Sequence, residues 1–211
     1  MKTKIFLTLS FVSLWFIFAC AGGAVRNKPV SADGEVGAQM PHFTPVFVYR
    51  DAASPSNRFF PSGWMGDVAD IHFNDAYHGD SHSGMTSIRI EYRPQGHMRW
   101  AGIYWQNPAN NWGDMAGGLD LTGAQYLVFW ARGATGNERI SEVRIGGLSG
   151  AFPDSDVAFI RNIRLTREWR QYRIPLRGRN LSRIAGGFCI VLSRRDNPQG
   201  AVIFLDEIRY E

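Results

Sequence analysis

Beyond residue 45 the hydrophobic positions recur every second residue, and the apolar runs are short. Segments rich in Val, Ile, Phe, Tyr and Trp are separated by clusters of Gly, Asn, Asp and Pro. This pattern predicts strands at Val46–Tyr49, Ser87–Tyr92, Met98–Trp105, Tyr126–Ala131, Glu142–Gly146, Ala158–Ile163, Arg170–Leu176, Gly187–Leu192 and Val202–Tyr210. No long segment carries a helical period. Short strands joined by long loops predict an all-β domain, an antiparallel β-sandwich.

Alternation assigns faces within the strands, because successive side chains point to opposite sides of a sheet. Leu127, Phe129 and Ala131 share one face; Tyr126, Val128 and Trp130 share the other. Taking Ala101 and Ile103 as core turns Trp100 and Tyr104 outward and Trp105 inward. Taking Val143 and Ile145 as core turns Glu142 and Arg144 outward. The expectation is one open sheet face carrying Trp100, Tyr104, Trp130, Glu142 and Arg144. Each aromatic also has a bland reading as core. Phe129 and Trp130 are adjacent, however, so one of the two needs a use outside the main core.

Trp is distributed unevenly. Of six Trp beyond the N-terminal segment, four lie between Trp100 and Trp130, in and after WAGIYWQNPANNWGD. Exposed aromatic rings are apt to hold a flat partner, and sugar faces are such partners. Trp112, with Asn110 and Asn111, falls on a loop that would close one side.

The N-terminus changes the domain picture. Lys2 and Lys4 precede an apolar run from Ile5 to Ala19 that ends in small residues, the pattern of an export signal over residues 1–20. The run is short for a spanning helix, which needs about 20 apolar residues. Ile17-Phe18-Ala19-Cys20 resembles the lipobox of bacterial lipoproteins, with Cys20 as the lipidated residue. Ala19-Cys20-Ala21 also fits ordinary secretory cleavage. Residues 21–45 are small and polar, suiting a flexible linker. Residues 46–211 then form one domain. The expected location is outside the cytoplasm, on a bacterial membrane (outer membrane or periplasm) through the N-terminal lipid only, or alternatively secreted.

Charge excludes rather than selects. The chain is formally +4, and loss of Lys2 and Lys4 with the leader leaves +2, so the balance does not imply a nucleic-acid partner. Arg161, Arg164, Arg167, Arg170 and Arg173 cross a predicted turn and read as a solvated edge rather than a patch. Cys189 lies in the apolar run FCIVL and reads as a buried thiol.

Several stretches resemble bacterial carbohydrate-binding modules of the galactose-binding-like jelly-roll superfamily: PSGWMGD from Pro61, HSGMTSIRIEY from His82, WAGIYWQNPANNWGD from Trp100, GGLDLTGAQYLVFWARG from Gly117, LTREWRQYRIPLRG from Leu165 and FLDEIRYE from Phe204. The resemblance implies a jelly roll that binds polysaccharide or oligosaccharide without cleaving it. It also implies one structural calcium, held by matching positions at Asp51, at Asp80 in the loop 78–83, and at Asp206. Calcium takes six to eight oxygens, so backbone carbonyls would complete that set.

Other chemistry finds little support. His72, His78 and His82, with Asp75 and Asp80, match neither a zincin nor a finger spacing. Ser149 lies outside a nucleophile-elbow motif, and no phosphate-binding glycine loop occurs. No carboxylate pair stands out for glycoside hydrolysis, and most acids fall in predicted turns. The reading is a non-enzymatic glycan-binding domain using Trp100, Tyr104, Trp112, Trp130, Glu142 and Arg144. The alternative is a protein-interaction or assembly module of the cell envelope with the same fold.

Overall fold

The structure is a computed structural model that describes residues 43–211. The expected export signal, Cys20 and the expected linker up to residue 42 lie outside the described residues. Eleven strands follow in order: β1 (Val46–Tyr49), β2 (Phe60–Gly66), β3 (Ile71–Tyr77), β4 (Ser87–Tyr92), β5 (Trp100–Gln106), β6 (Tyr126–Gly133), β7 (Arg139–Gly146), β8 (Val157–Arg164), β9 (Arg170–Pro175), β10 (Gly186–Ser193) and β11 (Ala201–Tyr210). Among the described residues no helix is long and apolar enough to cross a membrane.

The strands form two antiparallel sheets. One runs β3-β4-β11-β6-β9, with β1 also paired to β11; the other runs β2-β5-β10-β7-β8. Strand β11 organises the six-stranded sheet. Its first half pairs with β4 (Ile203 opposite Ile90) and its second half with β1 (Val46 opposite Tyr210). Its other edge pairs with β6, with Asp206 opposite Trp130.

The inner faces supply one core. Ala101, Ile103, Leu127, Phe129, Ala131, Val143 and Ile145 all lie in it, as alternation predicts. Trp105 is its largest fully buried side chain, edge-on to Phe188 at 5.3 Å and to Phe73 at 5.8 Å. Burial of each such side chain favours folding by about 1.5–3 kcal/mol. Gly187 permits this closure: a Cβ there would collide with the Phe59 ring.

All nine predicted strands are present, and two more, β2 and β3, are found. Both are edge strands. Edge positions tolerate Pro61, which sits at a bulge opposite β5, and the solvent-facing Asn74. Those are the residues that masked the strand pattern. The Arg series divides as expected: Arg161 and Arg164 lie on β8 and Arg170 and Arg173 on β9, in different sheets.

Candidate functional site

Register places the outward residues of the five-stranded sheet in rows. One row runs Met65, Gly102, Val191, Glu142, Arg161; the next runs Gly63, Tyr104, Cys189, Arg144, Phe159. Each row spans about 19 Å at a strand separation of about 4.8 Å. Trp100 and Ser193 face each other at one end. Gly102, buried in this row, lets the Met65 side chain pack down on β5: a Cβ there would lie 2.8 Å from the Ile190 carbonyl and 3.0 Å from the Met65 methyl.

The two ends of this face differ. Toward Gly146 it is roofed. Tyr104 is 3% exposed and packs with Leu148, Ala185 and Cys189 in a second small apolar cluster. Its hydroxyl donates to the Gly146 carbonyl at 2.5 Å. Asp154 pins the covering loop by accepting from Leu148 N (2.9 Å) and Ala185 N (2.5 Å). Trp112 stands above this end, 40% exposed and edge-on to Tyr104 at 6.2 Å. Burial pushes the Cys189 thiol up, in keeping with an inert group.

Toward Trp100 the face is open. A groove of about 550 Å³ is lined by Trp100, Ser141, Glu142, Arg144, Arg161, Asn162, Val191 and Arg195. Glu142 is its electrostatic centre. One carboxylate oxygen accepts from Arg144; the other accepts from Arg161 Nε at 2.6 Å. Burial acts to lower the Arg144 pKa, but the hydrogen bond to Glu142 and neighbouring negative charge hold it above its ordinary value. Arg161 also lies 4.2 Å over the Phe159 ring, which is 46% exposed. Asp196 accepts from Ser141 Oγ (2.5 Å), Ser193 Oγ (2.9 Å) and Arg195 Nε (3.1 Å). Desolvation opposes its ionisation, yet these donors hold its carboxyl below the usual range.

The expected single platform is therefore divided. Trp100, Glu142 and Arg144 come together in the groove. Tyr104 is on the expected side but under a roof, since the loops around Trp112 and Leu148 cover it. Trp112 lies at the roofed end and does not line the groove. Trp130 is on the outer face of the other sheet, because β6 pairs with β11 and β9 rather than with β5 or β7. There it seats the loop before β4: the His82 ring stacks on it at 3.7 Å, 16° from parallel. This is the use outside the core that the Phe129-Trp130 pair requires.

Phe159, Arg161, Asn162 and Arg195 belong to this face without having been anticipated. Extending the alternation to Ala158–Ile163 finds the first two, since Ala158 is buried and Phe159 and Arg161 then point out.

The three acids matched to calcium do not converge as a ligand set; among the described residues no group of three or more acidic, His or Cys side chains is placed to hold a metal. Asp206, fully buried, accepts backbone N–H from His82 (2.8 Å), Ser83 (3.0 Å) and Glu207 (2.8 Å). Burial nevertheless raises its pKa to about 6. Asp51 accepts from Met85 N and Thr86 N, both at 2.9 Å. Asp80 pairs with Arg132 and accepts from Trp169 Nε1 at 3.2 Å. Donors engage both carboxylate oxygens of Asp206 and Asp80, and Oδ1 of Asp51. The acids instead tie the loop to the sheet.

No protein-family model matches the chain, and no curated protein matches it in sequence. Solved structures do match. A crystal structure of a family 30 carbohydrate-binding module aligns with a TM-score of 0.54 at 12% identity, over 79% of this chain and 87% of that one. The architecture, a two-sheet antiparallel sandwich, resembles that of this module. A second family 30 module structure aligns with a TM-score of 0.53 at 14% identity, over 80% and 98%. At these identities the likeness concerns the architecture alone, and architecture does not fix function.

Proposed function

We propose that this domain binds a glycan chain, without cleaving it, in the groove on the outer face of the five-stranded sheet. The observation that carries the reading is the open groove itself, lined by Trp100, by the guanidinium groups of Arg144, Arg161 and Arg195, and by Val191. An aromatic wall supplies a stacking surface, and Arg144 and Arg161 supply donors to sugar oxygens. Such sites are wet and of modest affinity. The fold shared with carbohydrate-binding modules supports the reading. A glycan array probed with the full chain tests it. Binding that Trp100→Ala abolishes, with the fold intact by circular dichroism, is the expected result; no binding to any glycan removes the proposal.

Export and tethering through lipidated Cys20 belong to the same proposal and rest on the leader sequence. Cys20→Ala, followed by cell fractionation, is expected to release the protein from the membrane; unchanged membrane association contradicts it.

One observation favours the assembly reading. Phe60 (49%), Trp64 (39%) and Val68 (46%) are exposed along edge strand β2 and the turn that follows. A single stoichiometric envelope partner, retained in the presence of competing sugars and lost on Phe60→Asp, would support it.

A further inference from the structure

Building on the glycan reading, we infer that the groove selects an anionic polysaccharide, one bearing carboxylate or sulfate groups, over a neutral one. The groove is rich in donors and poor in free acceptors. Its lining holds three guanidiniums, Arg144, Arg161 and Arg195, against one carboxylate, Glu142. Both Glu142 oxygens are already engaged, by Arg144 and by Arg161. Ser141 donates its hydroxyl to Asp196. A neutral sugar presents hydroxyls that need acceptors as well as donors, and few acceptors remain.

The donors are free on the side that matters. Arg161 holds Glu142 through Nε, and Arg195 holds Asp196 through Nε. The terminal amino groups of both have no protein hydrogen-bond partner among the described residues, and the side chains are 54% and 79% exposed. Each pair of amino groups is a planar fork suited to two parallel bonds with a carboxylate or sulfate. Glu142 and the Phe159 ring fix the Arg161 guanidinium in place, so little freedom is lost on binding. Trp100 closes the end of the groove and supplies the ring contact that a purely ionic patch lacks.

The test is affinity electrophoresis of the full chain in gels containing polygalacturonate, dextran sulfate or hydroxyethylcellulose. Retardation by one or both anionic polymers, well above that by hydroxyethylcellulose, is expected. Whichever anionic polymer retards more identifies the group as carboxylate or sulfate. The pair Arg161→Gln and Arg195→Gln should weaken it about tenfold, since charge-assisted bonds are lost. The pair Arg173→Gln and Arg177→Gln removes the same charge away from the groove and should leave retardation unchanged. Equal loss in both double variants would reduce the effect to net charge and overturn the inference. Retardation by hydroxyethylcellulose alone, abolished by Trp100→Ala, would overturn the anionic preference while leaving glycan binding standing. No retardation in any gel would remove both.

Discussion

Replacing Trp130 with Ala separates a structural from a binding role for the residue that sequence alone places beside Trp100. In the structure Trp130 is cross-strand from Asp206 and carries the His82 ring at 3.7 Å. Truncation removes that stack, worth about 0.5–1.5 kcal/mol by analogy with aromatic pairs. It also removes the half-buried indole from beneath the loop, which adds about 1 kcal/mol at about 25 cal/mol per Å². The Asp206 bonds to His82 N and Ser83 N remain, so the loop stays attached. The expected loss is about 2 kcal/mol, or about 4–8 °C in Tm for a domain of this size. Urea unfolding should show a lower midpoint with an unchanged slope. The His82→Ala and Trp130→Ala pair should show coupling in a double-mutant cycle. An unchanged midpoint, or additive single effects, would refute the seating role.

Three further outcomes follow from the same geometry. Asp206 has its pKa raised by burial to about 6, so the folded state holds the proton more tightly than the unfolded chain. Its contribution is therefore fully present below about pH 4 and is lost as pH rises through about 6, about 2–3 kcal/mol in all. Urea midpoints at pH 4, 5, 6 and 7 should show Asp206→Asn losing this fall relative to wild type; a constant offset would contradict it. Gly187→Ala should destabilise by about 1–3 kcal/mol through the clash with Phe59, measured by thermal unfolding; a neutral effect would show that the sheets part easily at that point. In a Cys20→Ala background, Cys189 should resist maleimide until the chain unfolds, because it is 1% exposed and its thiol is pushed up by burial; rapid native labelling would contradict the roofed cluster.

The sandwich was legible because its central strands keep a strict period of two: every inward residue assigned in the Met98–Trp105, Tyr126–Ala131 and Glu142–Gly146 segments is buried in the core. The site was only partly legible. Alternation says which side of its own strand Trp130 occupies, but not which sheet that strand joins; that depends on pairing β6 with β11, some seventy positions away in the chain. Alternation likewise points Tyr104 outward and is silent about the roof over it, because Leu148 and Asp154 lie on an irregular loop whose packing has no period. The acids at Asp51, Asp80 and Asp206 lie around one loop, and the amides that bond them follow from backbone direction, which residue types do not encode.

We propose that the open groove at Trp100, and not the opposite sheet at Trp130, is the binding surface. The most direct test is side-by-side affinity electrophoresis of the wild-type chain, Trp100→Ala and Trp130→Ala in gels containing the glycan that binds the wild type. Trp130→Ala should be retarded like the wild type, at a temperature where it remains folded, while Trp100→Ala should migrate freely. Free migration of folded Trp130→Ala together with retained binding by Trp100→Ala would place the site on the other sheet and overturn the assignment to the groove.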